Sequence, residues 1–115
     1  MDPAAEYYTE ERCYINELSN TREDAEASIA RARVAPGVVT RWHRLVAITE
    51  RYIILEGRGR VEVGNLLPQN VGAGDVVVIP ASCPQRIANI GDGDLIFLAI
   101  CTPRFTPEAY EDIDV

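Results

Sequence analysis

The 115 residues of this chain contain one histidine, His43, and it lies seven positions before a glutamate, Glu50. An imidazole beside a carboxylate can trade a proton with it, help to hold a divalent metal, or form a buried ion pair. Which of these is possible depends on the elements that carry the two side chains. A strand over residues 38–45 places Val39, Arg41, His43 and Leu45 on one face, because side chains alternate along a strand. The next strand, beginning at Glu50, places Glu50, Tyr52 and Ile54 on one face. A four-residue turn between Leu45 and Glu50 makes the two strands a hairpin with His43 near Glu50. If these faces line the inside of a barrel, Gln85, entering a later strand just after Pro84, completes a trio.

The neighbours of the trio have competing readings. Arg41 either binds a carboxylate or phosphate at the barrel mouth or neutralises Glu50 or another acid. Tyr52 either offers its hydroxyl to a ligand or packs inward with that hydroxyl satisfied. Arg31 and Arg33 share a face, suited to an anion or simply to an exposed sheet surface. Trp42 points away from His43 and packs at a sheet or subunit interface. Cys83 and Cys101 have no second histidine to activate them and read as packing residues.

Composition narrows the function classes. Eighteen acidic residues against eleven basic ones give a net charge of -7, which repels phosphate backbones and argues against nucleic acid. All eleven basic residues are arginine, so lysine Schiff-base chemistry and P-loop phosphate binding are excluded. Three unpaired cysteines make a disulfide framework or Cys-rich zinc site unsuitable. There is no basic amphipathic stretch for a membrane surface and no run near the roughly 18 apolar residues of a membrane span. The first residues lack the pattern of a signal peptide, so a soluble cytoplasmic protein is expected.

Short β-like runs spaced by turn residues predict an all-β single domain. The expected strands cover residues 12–18, 27–34, 38–45, 50–56, 59–63, 76–79, 85–89 and 95–101. The best helical stretch, residues 4–12, is short. Residues 1–26 read as an N-terminal arm and first strand, 27–104 as the barrel, and 105–115 as an acidic tail that covers the barrel or frays. The first strand suits pairing with a neighbouring subunit as well as with its own sheet.

At this point the chain resembles the cupin superfamily. The family's first motif is Gly-x5-His-x-His-x4-Glu-x6-Gly, and its second is Gly-x5-Pro-x-Gly-x2-His-x3-Asn. Gly37, His43, Glu50 and Gly57 match the first, with Leu45 in place of its second histidine. Gly74, Pro80 and Asn89 match the second, with Ser82 for glycine and Gln85 for histidine.

The resemblance implies a double-stranded β-helix, a small barrel with one open end. Family members commonly hold a divalent transition metal through three histidines and a glutamate. By position the surviving metal ligands here are His43 and Glu50, with Gln85 as a substitute, while Leu45 cannot ligate. The same His43 and Glu50 are the catalytic candidates, and Arg41, Leu45, Tyr52 and Gln85 the ligand-binding ones. Exposed sheet edges and an apolar outer face suggest a homodimer. The functional expectation is small-molecule binding in the barrel. It takes the form either of a metal-dependent isomerase or lyase acting on a small carbonyl or sugar-like compound, or of a metal-free metabolite-binding or sensing module.

Overall fold

Alternation of apolar and polar side chains builds almost every element. The computed structural model describes Asp2 and residues 5–114. In β5 (Thr49–Glu56), Glu50, Tyr52 and Ile54 are buried while their neighbours are partly exposed. The same period of two turns Val61 and Val63 inward from β6 (Arg58–Val63), and Gln85, Ile87 and Asn89 inward from β9 (Gln85–Asn89). The remaining strands are β1 (Tyr7–Tyr8), β2 (Tyr14–Ser19), β3 (Ser28–Val34), β4 (His43–Leu45), β7 (Gln69–Gly72), β8 (Val76–Ile79), β10 (Leu95–Thr102) and β11 (Tyr110–Asp112).

They form two antiparallel sheets, one in the order β1-β2-β3-β10-β5-β8 and the other β11-β4-β9-β6-β7. This is the expected all-β double-stranded β-helix. The sheets enclose a core in which Val34, Ile54, Ile79, Ile87 and Leu95 are nearly or wholly inaccessible. A second, smaller cluster of Leu45, Ile48 and Cys101 is covered by Phe105, Ala109 and Tyr110. No helix among the described residues is long and apolar enough to cross a membrane.

Two glycines take left-handed backbone angles at opposite ends of the first motif. Gly37 has φ +78° with nothing near the position of a β-carbon. Gly57, between β5 and β6, has φ +85°, and a β-carbon there would sit 2.5 Å from the Asp94 carbonyl oxygen. Ser82 stands where the motif has glycine and holds φ +63°. It stays because its hydroxyl accepts a bond from the Ala47 N–H at 3.0 Å.

The structure corrects two expectations. The stretch expected to be helical holds β1 and the tight turn that leads to β2, closed by bonds from the N–H groups of Thr9 and Arg12 to the carbonyls of Cys13 and Thr9. Residues 38–45 are not one strand, since only His43–Leu45 is regular and Val39 makes an isolated bridge to Ala88. The tail is an arm: a 3₁₀ turn over Pro107–Ala109 leads into β11, which pairs with β4. The first long strand, β2, pairs with β3 of its own sheet.

Candidate functional site

Pairing across strands brings the three site candidates together. His43 in β4 lies opposite Gln85 in β9, and the Gln85 amide reaches Glu50 in β5. The amide fixes a one-way chain of hydrogen bonds: the Tyr52 hydroxyl donates to the Gln85 oxygen, and the Gln85 nitrogen donates to Glu50 Oε1. An amide is suited to this position because it accepts on one side and donates on the other.

Glu50 is 8 % exposed, and its second oxygen accepts a weak bond from the Cys101 thiol at 3.7 Å. Burial pushes the Glu50 carboxyl up to about 7; the Gln85 bond pulls it down, the nearby Glu11 raises it further, and His43 lowers it. Burial also holds the Tyr52 phenol well above its ordinary range, so it stays a neutral donor.

The His43 ring is fixed by its backbone partner. Its Nδ1 lies 2.8 Å from the Arg41 carbonyl, which can only accept, so Nδ1 carries the proton. The ring stacks on Tyr110 with centroids 5.3 Å apart. That leaves Nε2 facing a residue that motif spacing did not point to, Glu11, at 3.5 Å. Glu11 sits in the β1–β2 turn, and its carbonyl accepts from the Arg41 N–H, which ties the turn to the His43 segment. Burial, with the Asp112 charge added, raises the Glu11 carboxyl to about 7. A quarter of its side-chain surface remains exposed, so it is less dehydrated than Glu50.

Glu11 and Glu50 line a cavity of about 130 Å³ between the sheets. Tyr52, Ile87, Phe97 and Ala99 form its apolar wall, and Tyr7, Glu17 and Phe105 belong to its half-exposed rim. Of the six residues singled out in the sequence, Glu50 and Tyr52 line this space. His43 stands behind Glu11 and Gln85 behind Glu50. Leu45 belongs to the separate apolar cluster under the C-terminal arm.

Arg41 is turned outward, with Nε 2.6 Å from Asp112. It does neutralise an acid, but on the surface. The reason is a change of phase: Thr40, not Val39 or Arg41, points inward, exchanging bonds with the Ile87 backbone. His43 then restarts the alternation two residues after Arg41. Arg31 and Arg33 are likewise taken up by Glu6, and Arg86 lies over the Trp42 ring.

The donor set does not fit a resident metal well. The Gln85 oxygen already accepts from Tyr52, and one Glu50 oxygen accepts from Gln85. Among the described residues no three histidine, cysteine, aspartate or glutamate side chains are grouped to share an ion.

The Cupin domain family model matches residues 30–101, well over half of the chain. The chain belongs to the cupin family. This cupin is 34% identical over 116 residues to Uncharacterized protein MJ1618 of Methanocaldococcus jannaschii, covering 99% of itself and 90% of that protein. It is 28% identical over 108 residues to oxalate decarboxylase OxdC of Bacillus subtilis, covering 90% of itself but 27% of OxdC. Among solved structures it superposes with TM-score 0.79 on a double-stranded β-helix protein from Klebsiella pneumoniae, at 13% identity, covering 97% of this cupin and 93% of that chain.

Proposed function

We propose that this cupin holds a small molecule inside the barrel and moves a proton on it, without a resident metal. The observation that supports this most is Glu50: a carboxyl buried on the cavity wall, oriented from behind by Gln85, and poised near neutral pH. Glu11 is the second carboxyl facing the ligand, and His43 positions it and shares its proton. One carboxylate can remove a proton and the other return it, which is the chemistry of an isomerase or lyase. The cavity is close to the roughly 150 Å³ that accommodates benzene. A small carbonyl compound therefore suits the interior better than a whole sugar.

The test is proton exchange at carbon. In D₂O, dihydroxyacetone or aminoacetone incubated with the protein should lose α-hydrogen signal faster than in buffer. Glu50→Gln should slow that exchange by roughly 10²–10⁴-fold. No exchange above buffer for either compound, and no binding of either, would sink the reading.

A metal-dependent mechanism in the manner of OxdC is the competing reading. Elemental analysis of untagged protein is expected to show less than stoichiometric transition metal; a full equivalent lost in His43→Ala would reverse that conclusion. The homodimer would use the outer face of the six-stranded sheet, where Leu55, Val76 and Val78 are exposed. Light scattering should report twice the chain mass, and Val78→Glu should halve it.

A further inference from the structure

The charged residues lining the cavity are all acidic. Glu11, Glu17 and Glu50 are on its walls and rim, and among the described residues no arginine or histidine is. Arg41 and Arg33 are paired away from the cavity, with Asp112 and Glu6, and Arg104 reaches only the rim, where it bonds the Asn20 side chain. A buried carboxylate normally has a positive partner. The second oxygen of Glu50 accepts from the Cys101 thiol at 3.7 Å, and both residues line the cavity.

Beside Glu50, on the same sheet, the wall is aromatic: the Tyr52 and Phe97 rings lie 4.4 Å apart, tilted against each other. An aromatic pair beside a carboxylate is a suitable surround for a cation. An anion in the interior would face Glu50 and Glu11 with no arginine on the wall to receive it. The acid-rich surface, net charge -7, would also draw cations toward the mouth.

We propose that the cavity's ligand is a small organic cation, a protonated amine or quaternary ammonium of about benzene's size, with its charge at Glu11 and Glu50 and its apolar body against Tyr52 and Phe97. This rests on the reading that the cavity holds a ligand, and it names the class. It departs from the oxalate in OxdC's name, since a dianion would have no partner in this cavity.

The carboxyls' behaviour supports it. Glu50 is faced by Glu11, His43, Tyr52, Cys101 and Cys13, and Glu11 by His43 and Asp112; His43 is the one group among these that can be cationic. Burial, reinforced by the neighbouring acids, holds the protons of both carboxyls up to about 7. A bound cation favours their ionised forms, so binding releases a proton and tightens as pH rises through 7.

The experiment uses four compounds with the same neopentyl-like body: choline, 3,3-dimethylbutylamine, 3,3-dimethylbutan-1-ol and 3,3-dimethylbutanoate. Calorimetry with the full chain is expected to show both cations binding at least tenfold more tightly than the alcohol, and the carboxylate most weakly. Cation affinity should rise up to about tenfold between pH 6 and 7.5, with one proton released, seen as heats that vary with buffer ionisation enthalpy. Glu50→Gln and Glu11→Gln should each cut the ratio of cation to alcohol affinity about tenfold, and either variant suffices if the other fails to fold. Equal affinity for the alcohol, tightest binding of the carboxylate, or a ratio untouched in both variants would overturn the cation class while leaving a ligand-binding cavity in place. Failure of all four to bind would overturn both.

Discussion

Glu50→Gln should raise the melting temperature at pH 8 by about 10 °C and flatten the dependence of stability on pH. An unfolded glutamate ionises near 4.3, but in the folded protein burial holds the Glu50 proton up to about 7. Between these values the native state keeps a proton that the unfolded state releases. Stability is therefore greatest below about 4.5 and falls as pH rises through 7.

A carboxyl moved from 4.5 to about 7 corresponds to roughly 3 kcal/mol, lost in full by pH 8. For a domain of this size that is a shift of about 10 °C. Glutamine removes the charge yet leaves an oxygen to accept from Gln85. Glu11, with a quarter of its side chain exposed, adds a smaller slope of the same sign. Glu6 and Asp112 are held below their ordinary range by Arg33 and Arg41, and they pull the other way at lower pH. Both are exposed ion pairs and contribute little. Thermal melts from pH 5 to 8 decide it: a variant no more stable than wild type at pH 8 would mean that Glu50 is ionised and well compensated.

The second large effect is at a turn. Gly57→Ala should destabilise by about 3–5 kcal/mol, whereas Gly37→Ala should cost only about 1–2 kcal/mol. Both positions have left-handed φ angles, so both carry the backbone penalty for a β-carbon. Only at Gly57 would the new methyl meet backbone, 2.5 Å from the Asp94 carbonyl and 3.0 Å from the Leu95 Cα. Neither can move without dragging the start of β10, one of the two central strands of its sheet. Urea denaturation of the two variants should separate them clearly, and equal losses would show that the β5–β6 corner gives way easily.

Most of the barrel was readable from residue order because its strands are short apolar or alternating runs separated by turn residues. Residues 76–79 and 85–89 were placed to the residue, and β5 and β10 to within one. Polar strands gave no such signal: Gln69-Asn-Val-Gly reads as loop, and β1 and β11 are too short for a period to show. The site was half legible. Family spacing led to His43, Glu50 and Gln85, and the structure joins them through the Gln85 amide. The phase change at Thr40 was invisible, because nothing in Thr-Arg-Trp-His marks which side chain turns inward, and so Arg41 and Leu45 were placed in a cavity they do not line. Glu11 was hidden for a different reason. Its turn is closed by Arg12 at φ +72°, a conformation usually marked by glycine. The alternation Glu11, Cys13, Ile15, Glu17, all on the cavity side, was the one available clue.

The β1–β2 hairpin is the outermost ribbon of its sheet, and it alone supplies Glu11. Peeling it away would take two acids, Glu11 and Glu17, out of the pocket and let water reach Glu50, whose proton would then leave in the ordinary carboxylate range. If the proposed guest sits against Glu11, its occupancy and the order of that ribbon would be coupled: a seated guest would fasten the ribbon, and a loosened ribbon would set the guest free.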